Sequence, residues 1–376
     1  MESEEASTGL DNPNVVNKYR EAASIVGKVL ENFTGLLVAG ADIASLCTQA
    51  DSMLEDAISR VFTSQRIEKG IAFPTCISVN NICAYFSPFP DDSYALQEGD
   101  MVKVDMGVQI DGYVAQNATT VVVQDPSAKV TGEKADLLLA ALNAMQAALR
   151  LIRPGNTNTQ VTEAMSKIAE AYGCTMLEGI LSHETKQHVL DGNKVIIGKE
   201  APEQYVEEFK FEPNQAFIMD VIVSNGEGKP KETEYKPTVY QRALDVTYNL
   251  KLKASRSFFS ELNRRFPTLC FTLRAFSDPR TARLGVAECL KHNLLHVFPV
   301  LAERPQALVA QFKATVLILE NETLVVTPLF AKPELYETEK TIEDADLKSL
   351  LETPMQTLMS QKKKKPKKKK KKAAQE

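Results

Sequence analysis

The chain has 376 residues, of which 44% are hydrophobic, enough for one large domain or two ordinary ones around a sizeable core. Its formal charge of −5 hides an asymmetry: ten lysines fall between 362 and 372, leaving −15 on the rest, and so acidic a body excludes nucleic-acid binding over its general surface. No apolar run reaches membrane-spanning length, and residues 1–10 are acidic and polar, so the expectation is an intracellular protein with no membrane partner; six cysteines without CxxC spacing point to reduced core thiols.

Residues 1–13 read as an acidic, disordered leader. Pro13 then opens a predicted helix whose apolar positions, from Val15 and Tyr19 to Leu30 and Phe33, recur at helical spacing. Asp42 is the expected N-cap of a second helix, over 43 to about 62. Residues 70–90 are strand-rich and broken by Pro74, and they lead into MVKVDMGVQIDGYVAQNATT (101–120). Here Val102, Val104, Met106 and Val108 alternate with Lys103, Asp105 and Gly107, and Asp111-Gly112 is a hairpin turn signal. With those two residues in the turn, 110 faces 113, 105 faces 118, and Gln116 is the diagonal neighbour of Asp105 on one face. An acid in a buried strand needs a partner, since burying an unpaired carboxylate is costly.

The pattern then repeats. An apolar helix over 134–152 ends at Arg153-Pro154-Gly155-Asn156, a second helix is expected over 159–172, and AFIMDVIV (216–223) again sets one acid, Asp220, among apolar residues. Two helix-helix-sheet units, each with an acid late in the unit, form an internal pseudo-repeat. SNGEGK (224–229) lacks the glycine and hydroxyl residue of a phosphate loop and reads as a turn.

Residues 251–291 differ in composition, with nine basic residues against three acids. Two helices are predicted there, over 257–266 and 279–292, with Phe258, Phe259 and Phe266 beneath Arg264 and Arg265. LVAQFKATVLIL (308–319) is a closing strand carrying Lys313. A last capped helix over 341–352 contains Leu347, Leu350 and Leu351 in an LxxLL pattern, which either docks into a partner's groove or packs on the body. From about Thr353 the chain is low-complexity and expected to be disordered.

Asp105, the position eleven residues on, a later His, an acid in a strand and a closing AQF-x-x-T strand follow the order of metal ligands in the methionine aminopeptidase family, and FPTCISVNN (73–81) matches it too. Residues 14–340 resemble that family's pita-bread α/β fold, with the basic segment, about 251–305, resembling the winged-helix-like insert of its type II branch. The resemblance implies a dinuclear metal site of two Asp, one His and two Glu, with a further catalytic His. This chain keeps Asp105 and His183, but the second Asp is Gln116, the first Glu is Asp220, the last Glu is Lys313 and the further His is Tyr85. An ammonium ~4 Å from a divalent ion repels it by roughly 8 kcal/mol at an effective dielectric near 20. The simplest reading makes Lys313 the counter-ion of both aspartates in a remnant pocket, with no metal, no cofactor and no peptidase activity.

The altered ligands, the lysine run and phrases such as KGIAFPT, GNTNTQVTEA, LSHETKQHV and FTLRAF resemble the proliferation-associated (ErbB-binding) protein family over nearly the whole chain. That resemblance implies a non-catalytic growth regulator that binds the large ribosomal subunit, its rRNA and other structured RNA. It also implies influence on ribosome biogenesis and translation, and passage between cytoplasm and nucleus or nucleolus, as a monomer. The expected contacts are Lys251, Lys253, Arg256, Arg264, Arg265, Arg274, Arg280 and Arg283 of the insert. The tail would add Lys362, Lys363, Lys364, Lys365, Lys367, Lys368, Lys369, Lys370, Lys371 and Lys372. Two alternatives stand beside it: a metal-dependent methionine aminopeptidase with altered ligands, and a transcriptional co-regulator that meets transcriptional or signalling proteins through its LxxLL helix.

Overall fold

The computed structural model describes residues 7–202 and 204–358, and within them the chain builds one motif twice. The first copy is α1 (Pro13–Thr34), α2 (Ile43–Ser59), β1 (Lys69–Val79), β2 (Met101–Ile110) and β3 (Tyr113–Val122). The second is α3 (Gly132–Leu151), α4 (Asn158–Ala171), β4 (Leu181–Thr185), β5 (Val195–Ile197) and β6 (Gln215–Ser224). An insert follows, β7 (Val239–Arg242), α5 (Lys253–Arg265), β8 (Phe271–Thr272), α6 (Pro279–Lys291) and β9 (Leu295–Phe298). The chain then returns through β10 (Val309–Ile318), β11 (Thr323–Val325), α7 (Ala345–Glu352) and β12 (Gln356–Thr357).

Local chemistry accounts for most of these boundaries. Asn12 caps α1 with Pro13 in its first turn, Asp42 accepts from the Ser45 N–H at the head of α2, and Thr157 with Gln160 forms a capping box on α4. Asp111 and Gly112 both adopt positive φ, as the mirror-image hairpin turn requires, which fixes the register Ile110 to Tyr113 and Asp105 to Ala118. Pro74 does not end its strand: the register slips between Ile71 and Cys76, and the bulge absorbs it. α2 stops at Ser59, short of the expected 62, ahead of Phe62 with its positive φ.

The main sheet runs β1-β2-β3-β10-β6-β4-β5, antiparallel throughout, with the two copies meeting between β3 and β10. α1 and α2 pack on the first half and α3 and α4 on the second. One face of each central strand therefore enters a core: Val102, Val104 and Met106 beneath α1 and α2, and Met219, Val221, Phe312 and Ala314 beneath α3 and α4. The opposite face presents Lys103, Asp105, Asp220, Gln311 and Lys313. All six cysteines are buried and unpaired, and no described helix is long and apolar enough to cross a membrane.

Several boundaries differ from expectation. Within the expected leader 1–13, Leu10 is buried and the Tyr113 hydroxyl donates to the Thr8 carbonyl, so these residues belong to the fold, while 1–6 lie outside the described residues. The insert starts at β7, well before 251, since β8 and β9 pair on either side of it to make the platform for α5 and α6. α5 begins at Lys253, not 257, because the Glu288 carboxylate of α6 accepts from the Lys251 and Leu252 N–H groups and caps it from outside. α7 begins at Ala345, where Asp344 caps it, and the chain past Thr353 adds β12, parallel to β11, where a tail was expected.

Candidate functional site

Asp105, Ala118, Lys313 and Asp220 occupy a single row across the four central strands: Asp105 pairs with Ala118, Ala118 with Lys313, and Lys313 with Asp220. Directly paired residues point to the same face, so the lysine rises between two aspartates with only a methyl group separating it from the farther one. Its Nζ donates to Asp105 Oδ2 and lies 3.0 Å from Asp220 Oδ2. Gln311, two residues before Lys313 and so on the same face, donates from Nε2 to the other oxygen of Asp220 at 2.8 Å. Among the described residues, Asp105 Oδ1 has no hydrogen-bond partner.

Burial dominates the electrostatics. It pushes the Asp105 carboxyl up to about 6, with Lys313 pulling it down and Asp220 pushing it further up. Burial pulls the Lys313 ammonium down, but the two carboxylates outweigh it and hold the proton well above the usual lysine range. The Phe73 ring centroid sits 5.3 Å from the ammonium, and Tyr85, Cys76, Val239, Cys270 and Phe298 pack with Phe73 in one apolar cluster. The insert thus supplies part of the roof. A neighbouring cleft of about 540 Å³ between α2, β1 and the insert reaches Gln109, Leu269 and Cys270, but its lining includes none of Asp105, Gln116, Asp220 or Lys313.

These donors do not fit a dinuclear metal centre. The ammonium fills the space between the carboxylates, Gln116 is buried without a charge, and His183 lies near the Gly192 carbonyl, its Nδ1 at 3.3 Å. Tyr85, with burial raising its phenol, packs against Phe298. Among the described residues no three His, Cys, Asp or Glu side chains converge as a metal-binding group.

Sequence reasoning placed Ala118 opposite Asp105 but missed Gln311, although it stands two residues from Lys313. It also missed Lys103, wholly buried with Nζ donating to the Asn80 carbonyl, whose pKa burial lowers to about 7. The turn at 224–229 gathers its N–H groups on a carboxylate of this chain: Glu303 Oε2 accepts from Gly228 N at 2.7 Å and from Lys229 N at 3.2 Å.

The insert's basic residues divide. Lys251, Lys253, Arg264 and Arg280 are exposed, and none forms an ion pair among the described residues. Arg256 donates to the Leu250 and Lys251 carbonyls, Arg265 pairs with Glu261 and lies over Phe266, and Arg283 lies over Phe89 with its centre 3.6 Å from the ring. Arg274 is a correction. Its side chain is 10% exposed, bonded to Asp51 at 2.8 Å and to Ser87, and it locks the insert onto α2 with its remaining Nε buried, out of reach of a phosphate. Of the two alternatives for Leu347, Leu350 and Leu351, the structure has packing on the body: Leu347 is buried and Leu350 and Leu351 are half-buried against the second core. The lysines at 362–372 lie outside the described residues.

The sequence profile of metallopeptidase family M24 matches residues 17–227. The chain is 44% identical over 359 residues to ErbB-3 binding protein 1 of Solanum tuberosum, spanning 95% of this chain and 92% of that one. It is 41% identical over 350 residues to proliferation-associated protein A of Dictyostelium discoideum, spanning 92% and 90%. A solved structure of a thermophilic Arx1 superposes with a TM-score of 0.86 at 29% identity, covering 92% of this chain and 99% of the other.

Proposed function

The chain belongs to metallopeptidase family M24 and, within it, to the proliferation-associated ErbB-3-binding proteins, and from that membership we propose that it works without peptidase chemistry, as a regulator of growth that associates with the large ribosomal subunit and its RNA. The observation that carries the first half is Lys313 seated between Asp105 and Asp220. A dinuclear centre activates water because two cations lower its pKa, and here the equivalent space holds a fixed ammonium. The second half draws support from the exposed Lys251, Lys253, Arg264 and Arg280, which form no ion pair among the described residues, on an otherwise acidic body, together with the lysine run at 362–372. Folded rRNA would be met through its phosphates and shape, not its base sequence. In this reading the pita-bread core is a rigid carrier, the insert and the tail are the contact elements, and the protein acts in ribosome biogenesis and translation in nucleolus and cytoplasm.

Cosedimentation with purified large subunits across a salt series tests it. If about half the tail lysines meet phosphate, log affinity falls with log salt at a slope on the order of −3 to −5. Deletion from Gln361 onward combined with Arg264→Glu should flatten that slope. Equal binding by this variant, or a salt-independent native chain, removes the RNA reading. Stoichiometric divalent metal together with release of methionine from a peptide would instead favour the aminopeptidase.

A further inference from the structure

We propose that the solvent face of α6 is a docking surface for an acidic amphipathic segment of a partner protein. Arg280, Leu284, Ala287 and Lys291 recur along that helix at spacings of four, three and four, so they form one stripe on the side opposite Ala282, Val286 and Cys289, which enter the insert core. Leu284 is 67% exposed, and Leu252, at the head of α5, is 57% exposed. The two are neighbours through Glu288. That residue stands one turn beyond Leu284, and its carboxylate accepts from the Leu252 N–H at 3.1 Å. Glu288 is thereby engaged as the cap of α5 and Asp278 as the cap of α6, while Lys251, Lys253, Arg280 and Lys291 flank the two leucines with no ion-pair partner among the described residues.

The chemistry favours protein over RNA on this face. Phe258, Phe271 and Phe276 turn into the insert core, and the two large side chains exposed on this stripe, Leu284 and Leu252, are aliphatic. A leucine offers nothing to a phosphate, but it gains by burial against another apolar side chain. The platform is rigid, because Gly285 brings α6 so close to α5 that a Cβ there would lie 2.6 Å from Phe258 Cβ and 2.9 Å from the Ala254 carbonyl oxygen. A basic ring around two apolar side chains is complementary to a helix carrying leucines one turn apart with carboxylates beside them. This shares Lys251, Lys253 and Arg280 with the ribosome reading and adds the two leucines, so the test reads leucine-dependent binding separately from RNA binding and without ribosomes.

The probes are a fluorescent helical peptide with leucines one turn apart among glutamates, its isomer with serines for the leucines, and a short RNA duplex, each titrated with the full chain. The native protein should bind the leucine peptide at least roughly tenfold tighter than the serine isomer. The variant Leu252→Gln with Leu284→Gln should lose that preference and keep duplex RNA affinity within roughly twofold. Both substitutions are on the surface, and an unchanged melting temperature confirms that the variant folds. No preference for the leucine peptide, an unchanged preference in the variant, or an equal loss of RNA binding would overturn the proposal, and so would a native dimer that the variant abolishes, since the face would then belong to a second copy of this chain.

Discussion

Lys313 keeps two carboxylates in one buried row compatible with each other. Exchanging it for methionine preserves the volume and removes the charge, leaving Asp105 and Asp220 face to face. Lys313→Met should therefore cost about 3 kcal/mol at neutral pH, because an uncompensated buried charge remains. The loss should shrink near pH 5, where one carboxylate takes up a proton; urea midpoints at the two pH values give the comparison. In the native chain the Asp105 carboxyl is raised to about 6 against an ordinary 3.8. Between those values the folded state holds a proton that the unfolded state has released, so this group adds stability as pH falls from neutral through 6 towards 4. Asp105→Asn should remove that component, and an unaltered pH profile in the variant would contradict the assignment.

At the scale of elements, the insert depends on one close helix crossing and one latch. Gly285→Ala forces a methyl against Phe258 and the Ala254 carbonyl, neither of which can withdraw without moving α5. A loss of about 1–3 kcal/mol is expected, read as a lowered thermal midpoint with hydrogen exchange accelerating in α5 and α6 before the main sheet. The latch is Arg274, which reaches from the insert to Asp51 of α2 and to Ser87. Arg274→Met should loosen the insert from the core by about 3 kcal/mol, since Asp51 loses its cation while staying largely buried. Exchange at the α2 and β8 amides would report it.

Across the whole molecule, the two copies are closed at their seam by the last described stretch of chain. β12 pairs with β11, Met355 packs against the second core, and Arg150 Nε donates to the Thr353 carbonyl. A chain ending at Glu352 should melt lower than one ending at Leu358, by about 1–3 kcal/mol in stability, because it loses those contacts together. Equal midpoints would show that this closure is ornamental to the fold. The same closure involves the leucines of α7, of which Leu347 is buried and Leu350 and Leu351 are half-buried against the second core.

The sequence alone determined what is local. The paired helices, the hairpin turn at Asp111-Gly112 with its register, and a lysine in the strand where a related peptidase has a metal ligand all follow from periodicity, caps and turn residues read within a few positions. Only the tertiary structure decided which distant segments share a row. That Lys313 crosses Ala118 to reach Asp105, that Gln311 holds Asp220, and that Arg274 is spent on Asp51 depend on strand and helix pairings between segments 91 to 223 residues apart. No local pattern encodes them. A side chain's hydrophobic period tells which face it occupies, but the partner across that face is chosen when the sheet closes and every buried charge must find its opposite.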